Sequence, residues 1–169
     1  AVPILKKYNI PATIFVCPGL VGKNQLNWPD TVEYIIVNSK KKRINIANNN
    51  KSLNLSLEND AQRIRAIMEL KQILLKYRTK ERRRFIKKLF NEASVVQDFS
   101  ENYSLMNWNH LKEMKLHNIT IGSHTTNHPI LTQENHSTVK KELTLSKRMI
   151  EKKIGQIVTS IAYPNGVYD

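Results

Sequence analysis

Residues 119–129 read ITIGSHTTNHP and join a strand pattern to a pair of histidines. Ile119 and Ile121 alternate with smaller or polar residues, as in a short strand, and the glycine and serine that follow open a loop. His124 and His128 lie four positions apart. In one turn of helix this spacing places both imidazoles on the same side, where they can bind one metal ion. Because the pattern is short, a polar loop that holds two histidines by chance stays an alternative at this point.

Two further apolar runs have the composition of buried strands. Residues 12–17, ATIFVC, form a β-branched run that suits a parallel strand. Residues 158–163 form another, which ends at the turn signal PNG. Between the strand pattern that begins at Ile119 and this last run, apolar positions recur at helical spacing over residues 139–154, and Gly155 follows as a C-cap. The order strand, helix, strand predicts a parallel βαβ unit whose two following loops face one another.

The length and composition suit one globular domain. The chain has 169 residues, of which 40% are hydrophobic, and this is enough for a core. No run reaches the roughly 18 apolar residues of a membrane span, and no signal peptide is visible. The single cysteine, Cys17, excludes an internal disulfide. Because it follows an apolar strand pattern, a buried thiol is favoured over a nucleophile.

The positive charge is concentrated in the middle of the chain. Between Ser39 and Lys88 there are 16 Lys or Arg and four acids, so this segment holds +12 of the total net charge of +13. Such a segment can attract nucleic acid, an anionic polymer or a membrane surface. The alternative is an ordinary solvated face of a basic protein.

Much of this basic segment has a helical pattern. From Glu58 an apolar stripe predicts one helix, and Thr79 can cap a second. Residues 32–37 fit either a helix or a strand. The aromatic residues of the second helix lie on its apolar side, which favours core positions over base stacking. We therefore predict a basic, mainly helical insertion at about residues 39–92. The stripe of the first helix comprises Ala61, Ile64, Ile67, Met68, Leu74 and Leu75.

Four blocks in this order resemble the polysaccharide deacetylases of the NodB-homology group, carbohydrate esterase family 4. They are LKKYNIPATIFV at 5–16, WxxLxxM at 108–114, IGSHTTNHP at 121–129 and AYPNG at 162–166. The third block contains the family's H-[ST]-x-x-H-P motif in full, and its place between the others makes it far more specific than the histidine pair alone. The resemblance covers nearly the whole chain apart from the basic segment.

The resemblance implies an α/β fold that is part of a distorted (β/α) barrel of the glycoside hydrolase and deacetylase type, over a single partial domain at 1–169. It implies metal-assisted removal of an N-acetyl or O-acetyl group from a carbohydrate polymer. His124 and His128 would bind Zn²⁺ or another divalent transition metal, with an open position for water and the acetyl oxygen. Thr125 would hold the loop by a hydrogen bond behind these ligands.

The PNG turn corresponds to the family's third motif, where a backbone N–H helps to stabilise the tetrahedral oxyanion. Asn165 holds the position that would supply this N–H. The resemblance also assigns Tyr163, Pro164 and Gly166 to the substrate loop. Many members have an arginine two residues before the motif's proline, and Ala162 stands there instead.

The family's first motif, a TFDDG-like run with the catalytic base and third metal ligand, has no counterpart in the chain. We therefore expect these residues to be the interior of a deacetylase, weak or inactive alone, with the general-acid histidine beyond Asp169. The aspartates and other histidines fit neither role: Asp30, Asp60, Asp98, Asp169, His110, His117 and His136.

Three hypotheses follow from the sequence. The first is a zinc-dependent carbohydrate deacetylase, whose place of action stays open between the bacterial cell envelope and the cytoplasm, where it would serve polysaccharide synthesis. The second is a non-catalytic remnant of the same fold. The third, which we weight least, is a nucleic-acid-binding module that uses the segment from Ser39 to Lys88. The substrate polymer and the oligomeric state are not predicted.

Overall fold

The computed structural model describes residues 2–48, 51–99, 103 and 106–168. The chain divides into two compact units, which we call the first unit (residues 1–25 and 99–169) and the second unit (residues 26–98). In the described ranges, no helix has the length and apolar character needed to cross a membrane. The elements are α1 (Val2–Lys7), β1 (Ala12–Val16), α2 (Trp28–Asn38), β2 (Arg43–Asn48), β3 (Lys51–Ser56), α3 (Asp60–Leu75), α4 (Thr79–Ala93), α5 (Trp108–Lys115), β4 (Ile119–Ser123) and α6 (His136–Ile154), with short 3₁₀ turns at Leu131–Gln133 and Pro164–Gly166.

The first unit is built on a parallel pair of strands. β1 and β4 pair in parallel, in a register that sets Ala12 opposite Ile119 and Val16 opposite Ser123. A single parallel bridge joins Ser123 to Ile161. The predicted α/β class with parallel pairing is therefore confirmed, while a complete barrel stays a prediction.

The strand predicted at residues 158–163 is wrong, because it is reduced to that one bridge. The cause lies on α6. The N–H of Val158 donates to the Glu151 carboxylate at 3.0 Å, and Lys147 Nζ donates to the Val158 carbonyl at 2.6 Å. These side chains bind the backbone of Val158, so the start of the predicted strand is held by α6, and of its described residues only Ser160 and Ala162 make the bonds to Ser123.

Helices α5 and α6 cover the parallel pair with an apolar core. Asn107 caps α5 through its side-chain oxygen. Gly155 ends α6, as predicted, in the left-handed conformation with φ of 65°. Each large side chain in such a core contributes about 1.5–3 kcal/mol by burial. The buried members of the core are Val16, Leu111, Met114, Ile119, Ile121, Ile150, Ile154 and Val158.

The second unit contains a β-hairpin that the sequence analysis missed. β2 and β3 pair antiparallel, from Arg43 opposite Ser56 to Asn48 opposite Lys51. The segment at 32–37, left open between helix and strand, lies within α2. Of the tip of the hairpin, residues 49–50 lie outside the described residues.

The helices of the second unit are present, but their buried faces differ in detail from the prediction. On α3 the buried residues are Ala66, Leu70 and Leu74, whereas Ile64 and Met68 are 57% and 62% exposed. The predicted stripe is confirmed at Leu74 and wrong at Ile64 and Met68, because the residues that pack inward follow i, i+4 and i+8 from Ala66. Thr79 is the first residue of α4, and Arg78 occupies the N-cap position. The predicted insertion at 39–92 stays a prediction.

Candidate metal centre

The two histidines lie in an irregular loop after β4, so the helical turn predicted for them is wrong. Thr125 and His128 both have left-handed backbone conformations, with φ of 64° and 60°. These two residues turn the chain so that the rings of His124 and His128 meet at 75°, with centroids 4.7 Å apart. The pairing inferred from the spacing is thus reached by a loop and not by a helix.

Thr125 occupies a backbone region that β-branched residues avoid, because the side chain crowds the main chain there. Such a conformation costs on the order of 1–3 kcal/mol and persists only where the surroundings impose it. Thr125 is fully buried, and its Oγ1 accepts a hydrogen bond from the His128 N–H at 3.0 Å. The predicted hydrogen bond within the loop is present, and it ties one histidine to the residue beside the other.

His124 has a defined tautomer. Its Nδ1 lies 2.7 Å from the carbonyl oxygen of Ala162, and a carbonyl only accepts, so the proton is on Nδ1. The lone pair of the ring is therefore on Nε2, the state that a metal ligand needs. This contact also joins the loop after β4 to the segment before the PNG turn, as expected for facing loops of a βαβ unit.

Cys17 supports the loop as a neutral thiol. Its Sγ donates to the His124 carbonyl at 3.0 Å. Burial, assisted by the nearby charge of Glu142, raises the pKa of this thiol to about 12. The thiolate is the form that attacks electrophiles and binds metals, so Cys17 has neither function in this arrangement. Cys17 is half-buried, and the inert thiol expected from the sequence is consistent with this environment.

Glu142 on α6 holds the same loop and was missed by the sequence analysis. Its Oε2 accepts from the backbone N–H groups of Thr126 and Asn127 at 2.8 and 2.9 Å. Its Oε1 accepts from the side-chain amide of Asn127 at 2.8 Å. A signal was present, because Glu142 lies one turn before Ser146 and Ile150 on the buried stripe of α6, where a charge needs partners.

A second missed residue is Gly19, which brings another loop against the histidine loop. Its N–H donates to the Thr126 carbonyl at 2.9 Å. A Cβ at this position would lie 2.5 Å from the same carbonyl oxygen and would meet the side chain of Asn127. The position therefore requires glycine because of close backbone approach, and the loops at 17–20 and 124–130 form one packed cluster.

The other predicted site residues lie in the turn that follows Ala162. Pro164 is buried, and Asn165 is exposed with φ of 58°. Gly166 has φ of 66°, and its N–H donates to the Tyr163 carbonyl at 3.0 Å. The rings of Tyr163 and Tyr168 lie 5.8 Å apart and are 48% and 74% exposed. The oxyanion and substrate-loop assignments stay predictions, made for a turn that directly follows the partner of His124.

The two histidines are ligands of a type that suits zinc, but two ligands are fewer than a zinc site needs. Two imidazoles, one with its Nε2 lone pair fixed, are ligands of the kind that Zn²⁺ prefers. A catalytic zinc has three protein ligands, yet the described residues contain no group of three His, Cys, Asp or Glu side chains that could hold a metal. His110 is engaged elsewhere, because its Nδ1 accepts from the Asn107 N–H at the start of α5.

The family model described as "Polysaccharide deacetylase" matches residues 1–169. Comparison with curated proteins gives no match. Among solved structures, the fold is similar to that of Streptococcus pyogenes deacetylase PplD in complex with acetate, with a TM-score of 0.50 and 20% identity. The alignment covers 99% of this chain and 40% of that protein, so the chain spans well under half of its length. On the match of the family model over residues 1–169, the chain belongs to the polysaccharide deacetylase family.

Proposed function

We propose that residues 1–169 supply two histidine ligands of a zinc-dependent deacetylase that removes acetyl groups from a polysaccharide. The observation that carries the proposal is the loop conformation: Thr125 and His128 hold unfavourable backbone angles, and the rings of His124 and His128 meet as a result. Strain of this kind at non-glycine residues clusters at functional sites. In this proposal the first unit is part of a distorted (β/α) barrel.

Each residue around the pair has a distinct task in the proposed mechanism. Ala162 holds the proton of His124 on Nδ1, so that Nε2 keeps its lone pair toward the metal. Thr125 orients the backbone of His128, and Glu142 fixes the two residues between them. The chemistry that Zn²⁺ supplies when bound is polarisation of the acetyl carbonyl and a lowered pKa of a water molecule.

In the proposed mechanism, the turn at 164–166 stabilises the oxyanion. A backbone N–H at Asn165 would stabilise the negative charge that develops on the acetyl oxygen, and preorganised donors of this kind are worth about 10²–10³ in rate. The exposed rings of Tyr163 and Tyr168 would offer apolar surface to a sugar ring. Both tasks require the turn to keep its present position beside His124.

The base and the third ligand have to come from outside these residues. The chain has four aspartates, and no two of them are adjacent. Three of them, Asp30, Asp60 and Asp98, lie in the second unit. A site with two imidazoles and no carboxylate lacks the group that takes a proton from water. The competing reading is a non-catalytic remnant that keeps the scaffold without activity.

The test isolates the native polypeptide from its source cells with an antibody against residues 1–169. We expect a mass above 19.6 kDa, about one equivalent of zinc, and release of acetate from N-acetylglucosamine oligomers. His124→Ala should abolish acetate release and zinc binding, while His136→Ala, at the exposed start of α6, should keep both. A native protein of the mass of this chain, without zinc or activity, would establish the remnant instead.

A further inference from the structure

The second unit has a continuous group of exposed cations, which we call the basic surface. On α4 the exposed bases recur at i, i+3, i+4, i+7 and i+8, and so they form one stripe along about two and a half turns of helix. The opposite side of α4 is buried. A second run of four bases lies between α2 and the start of β2. The basic surface comprises Lys40, Lys41, Lys42, Arg43, Lys80, Arg83, Arg84, Lys87 and Lys88.

Two contacts show that the helix stripe and the four-base run lie side by side. Lys41 Nζ donates to the carbonyl of Glu92, near the end of α4, at 2.7 Å. Lys88 Nζ donates to the carbonyl of Ala47 in β2 at 3.1 Å. Both lysines bind neutral carbonyls, so neither contact removes a positive charge. An ion pair at 3.8 Å joins Arg43 to Glu58 at the edge of the surface.

Three of the nine bases make the structural contacts just given, but these contacts do not explain the charge of the whole basic surface. The fold of α4 depends on its buried side, and like charges at i, i+4 destabilise a helix by a few tenths of a kcal/mol per pair. A dense stripe of one sign creates a potential that attracts a polyanion and raises its rate of encounter. The surface therefore fits a partner with repeated negative charges.

The chemistry around the surface favours an anionic glycan over the other polyanions. Single-stranded nucleic acids bind through aromatic stacking platforms, but no described aromatic residue of the second unit is fully exposed. Trp28 packs under Arg82, and Tyr77 packs against Phe85. A membrane-surface helix needs a free apolar face, and that face of α4 is buried. Six of the nine bases are lysines, whose point charges suit spaced carboxylates or phosphates better than base edges.

We propose that the basic surface binds an anionic glycan, one whose repeat carries a carboxylate or phosphate, and that this glycan is the acetylated polymer on which the deacetylase acts. The second clause rests on the proposed function, while the binding itself does not. Because both units belong to one chain, a polymer held by the basic surface stays at a high effective concentration for the rest of the protein.

The experiment measures binding of this chain to a fluorescent hyaluronan oligosaccharide, which carries one carboxylate and one N-acetylglucosamine per repeat. A neutral N-acetylglucosamine oligomer of equal length is the comparison. We expect affinity for hyaluronan to fall about 10²-fold between roughly 50 and 200 mM salt, as for a contact that uses three or four charges. The neutral oligomer should bind much more weakly and without salt dependence.

A charge-reversal variant locates the binding. Four exposed bases of α4 that do not make the two bridging contacts are changed to glutamate: Lys80→Glu, Arg83→Glu, Arg84→Glu and Lys87→Glu. The matched control makes the same change in net charge in the first unit: Lys112→Glu, Lys140→Glu, Lys141→Glu and Arg148→Glu, all at exposed positions. We expect the α4 variant to lose at least about tenfold in affinity and the control to lose much less. Circular dichroism confirms that both variants keep their helices.

Several outcomes would overturn the proposal. Equal loss in both variants would mean that only net charge matters. Tighter binding of an equally charged single-stranded DNA, or of vesicles with anionic lipids, would assign the surface to those partners. The comparison of the two charge-reversal variants does not involve the histidine pair, so its result can be interpreted even if the deacetylase proposal fails. If the native protein bound hyaluronan but released no acetate from it, the clause that makes this glycan the substrate would be overturned.

Discussion

The two units bury polar side chains for different purposes. In the second unit, the buried polar residues Thr31, Ser39 and Arg82 donate to main-chain carbonyls at helix ends: Thr31 to Asn27, Ser39 to Ala93, and Arg82 to Leu74 and Tyr77. The C-terminal ends of helices leave carbonyls short of partners, so the bonds to Ala93, Leu74 and Tyr77 stabilise the ends of α4 and α3, while Thr31 adds a second bond to the Asn27 carbonyl at the start of α2. In the first unit, the buried polar residues are associated with an irregular loop: Ser123, Thr125, Thr126, His128 and Ser146.

The buried hydrogen bonds of the second unit stabilise its helices, whereas those of the first unit hold a strained loop. A polar group that completes a helix end removes a cost of folding. The loop at 124–130 instead contains two residues in unfavourable backbone conformations, which its hydrogen bonds have to offset. We infer that the second unit is a stable scaffold with a charged exterior. In the first unit, the strain that positions the two imidazoles lowers the stability of the fold. The following substitutions test this contrast.

The largest effect on stability is expected for Arg82→Met. The guanidinium is 2% exposed, donates to the Leu74 carbonyl at 2.9 Å and to the Tyr77 carbonyl, and lies over the Trp28 ring. Methionine keeps much of the volume but leaves two buried carbonyls without this donor, which costs about 3 kcal/mol. Urea unfolding followed by Trp28 fluorescence, in a Trp108→Phe background, measures the loss.

The matched control for that substitution is Arg83→Met, which removes an exposed neighbour of the same charge. Its effect should lie within about 0.5 kcal/mol. Equal effects of the two substitutions would show that Arg82 contributes only charge. Zinc affinity should be the same in both variants, because the contacts of Arg82 lie in the second unit.

Glu142→Ala is expected to have the next largest effect, and this one should reach the site. It leaves the N–H groups of Thr126 and Asn127 without an acceptor, at a cost of about 2 kcal/mol. Loosening the loop should also weaken zinc binding by about 10–100-fold. Competition with a chromogenic chelator measures that change. Glu142→Gln, which keeps an acceptor oxygen, should recover part of the stability and part of the zinc affinity. Glu113→Ala, at an exposed position of α5, should change neither stability nor zinc affinity. Unchanged zinc affinity in Glu142→Ala would show that zinc binding does not depend on how firmly Glu142 holds the loop.

Local signals in the sequence predicted most of the first unit. Asn107 and Gly155 mark helix ends because caps depend on the residue and its immediate neighbours. The facing loops followed from the strand-helix-strand order, which constrains topology strongly. The hairpin at 43–56 was missed although Ile44 and Ile46 alternate with polar residues, because the segment was assigned to a mainly helical insertion.

The support of the site was not predictable in the same way. Glu142 and Thr126 are 16 residues apart, and Cys17 and His124 are 107 apart, so their contacts exist only after the strands have paired. The left-handed conformation of Thr125 contradicts its own propensity and is imposed by tertiary contacts. Sequence reasoning therefore identified the histidine pair and Thr125, and it missed Glu142 and Gly19, whose contacts with the loop are long-range.

Gly19→Ala tests whether that holding depends on close packing of two loops. The new Cβ would lie 2.5 Å from the Thr126 carbonyl, so the backbone has to move, at a cost of about 1–2 kcal/mol. Zinc affinity should fall with it, because the displaced residue lies between the two histidines. Gly155→Ala is the control: it has φ of 65° and open space, so we expect a loss of about 1 kcal/mol and no change in zinc affinity. A harmless Gly19→Ala would show that the loops adjust freely.

The smallest effect is expected at Glu151, which performs on α6 the same task as Glu142 but away from the histidines. Its carboxylate accepts from Lys147 Nζ at 2.7 Å and from the Val158 N–H at 3.0 Å, and these bonds hold the pKa of Glu151 below its usual value. A lowered pKa in the folded state adds stability above the ordinary pKa, and this stability is lost as the pH falls through the folded value. Glu151→Gln should therefore be less stable than the unmodified chain at about pH 7, and the difference should narrow toward about pH 3. Urea midpoints from Trp108 fluorescence in a Trp28→Phe background measure it at both pH values. Zinc affinity should not change. If it fell as in Glu142→Ala, the whole of α6 and not the Glu142 clamp would set the geometry of the loop.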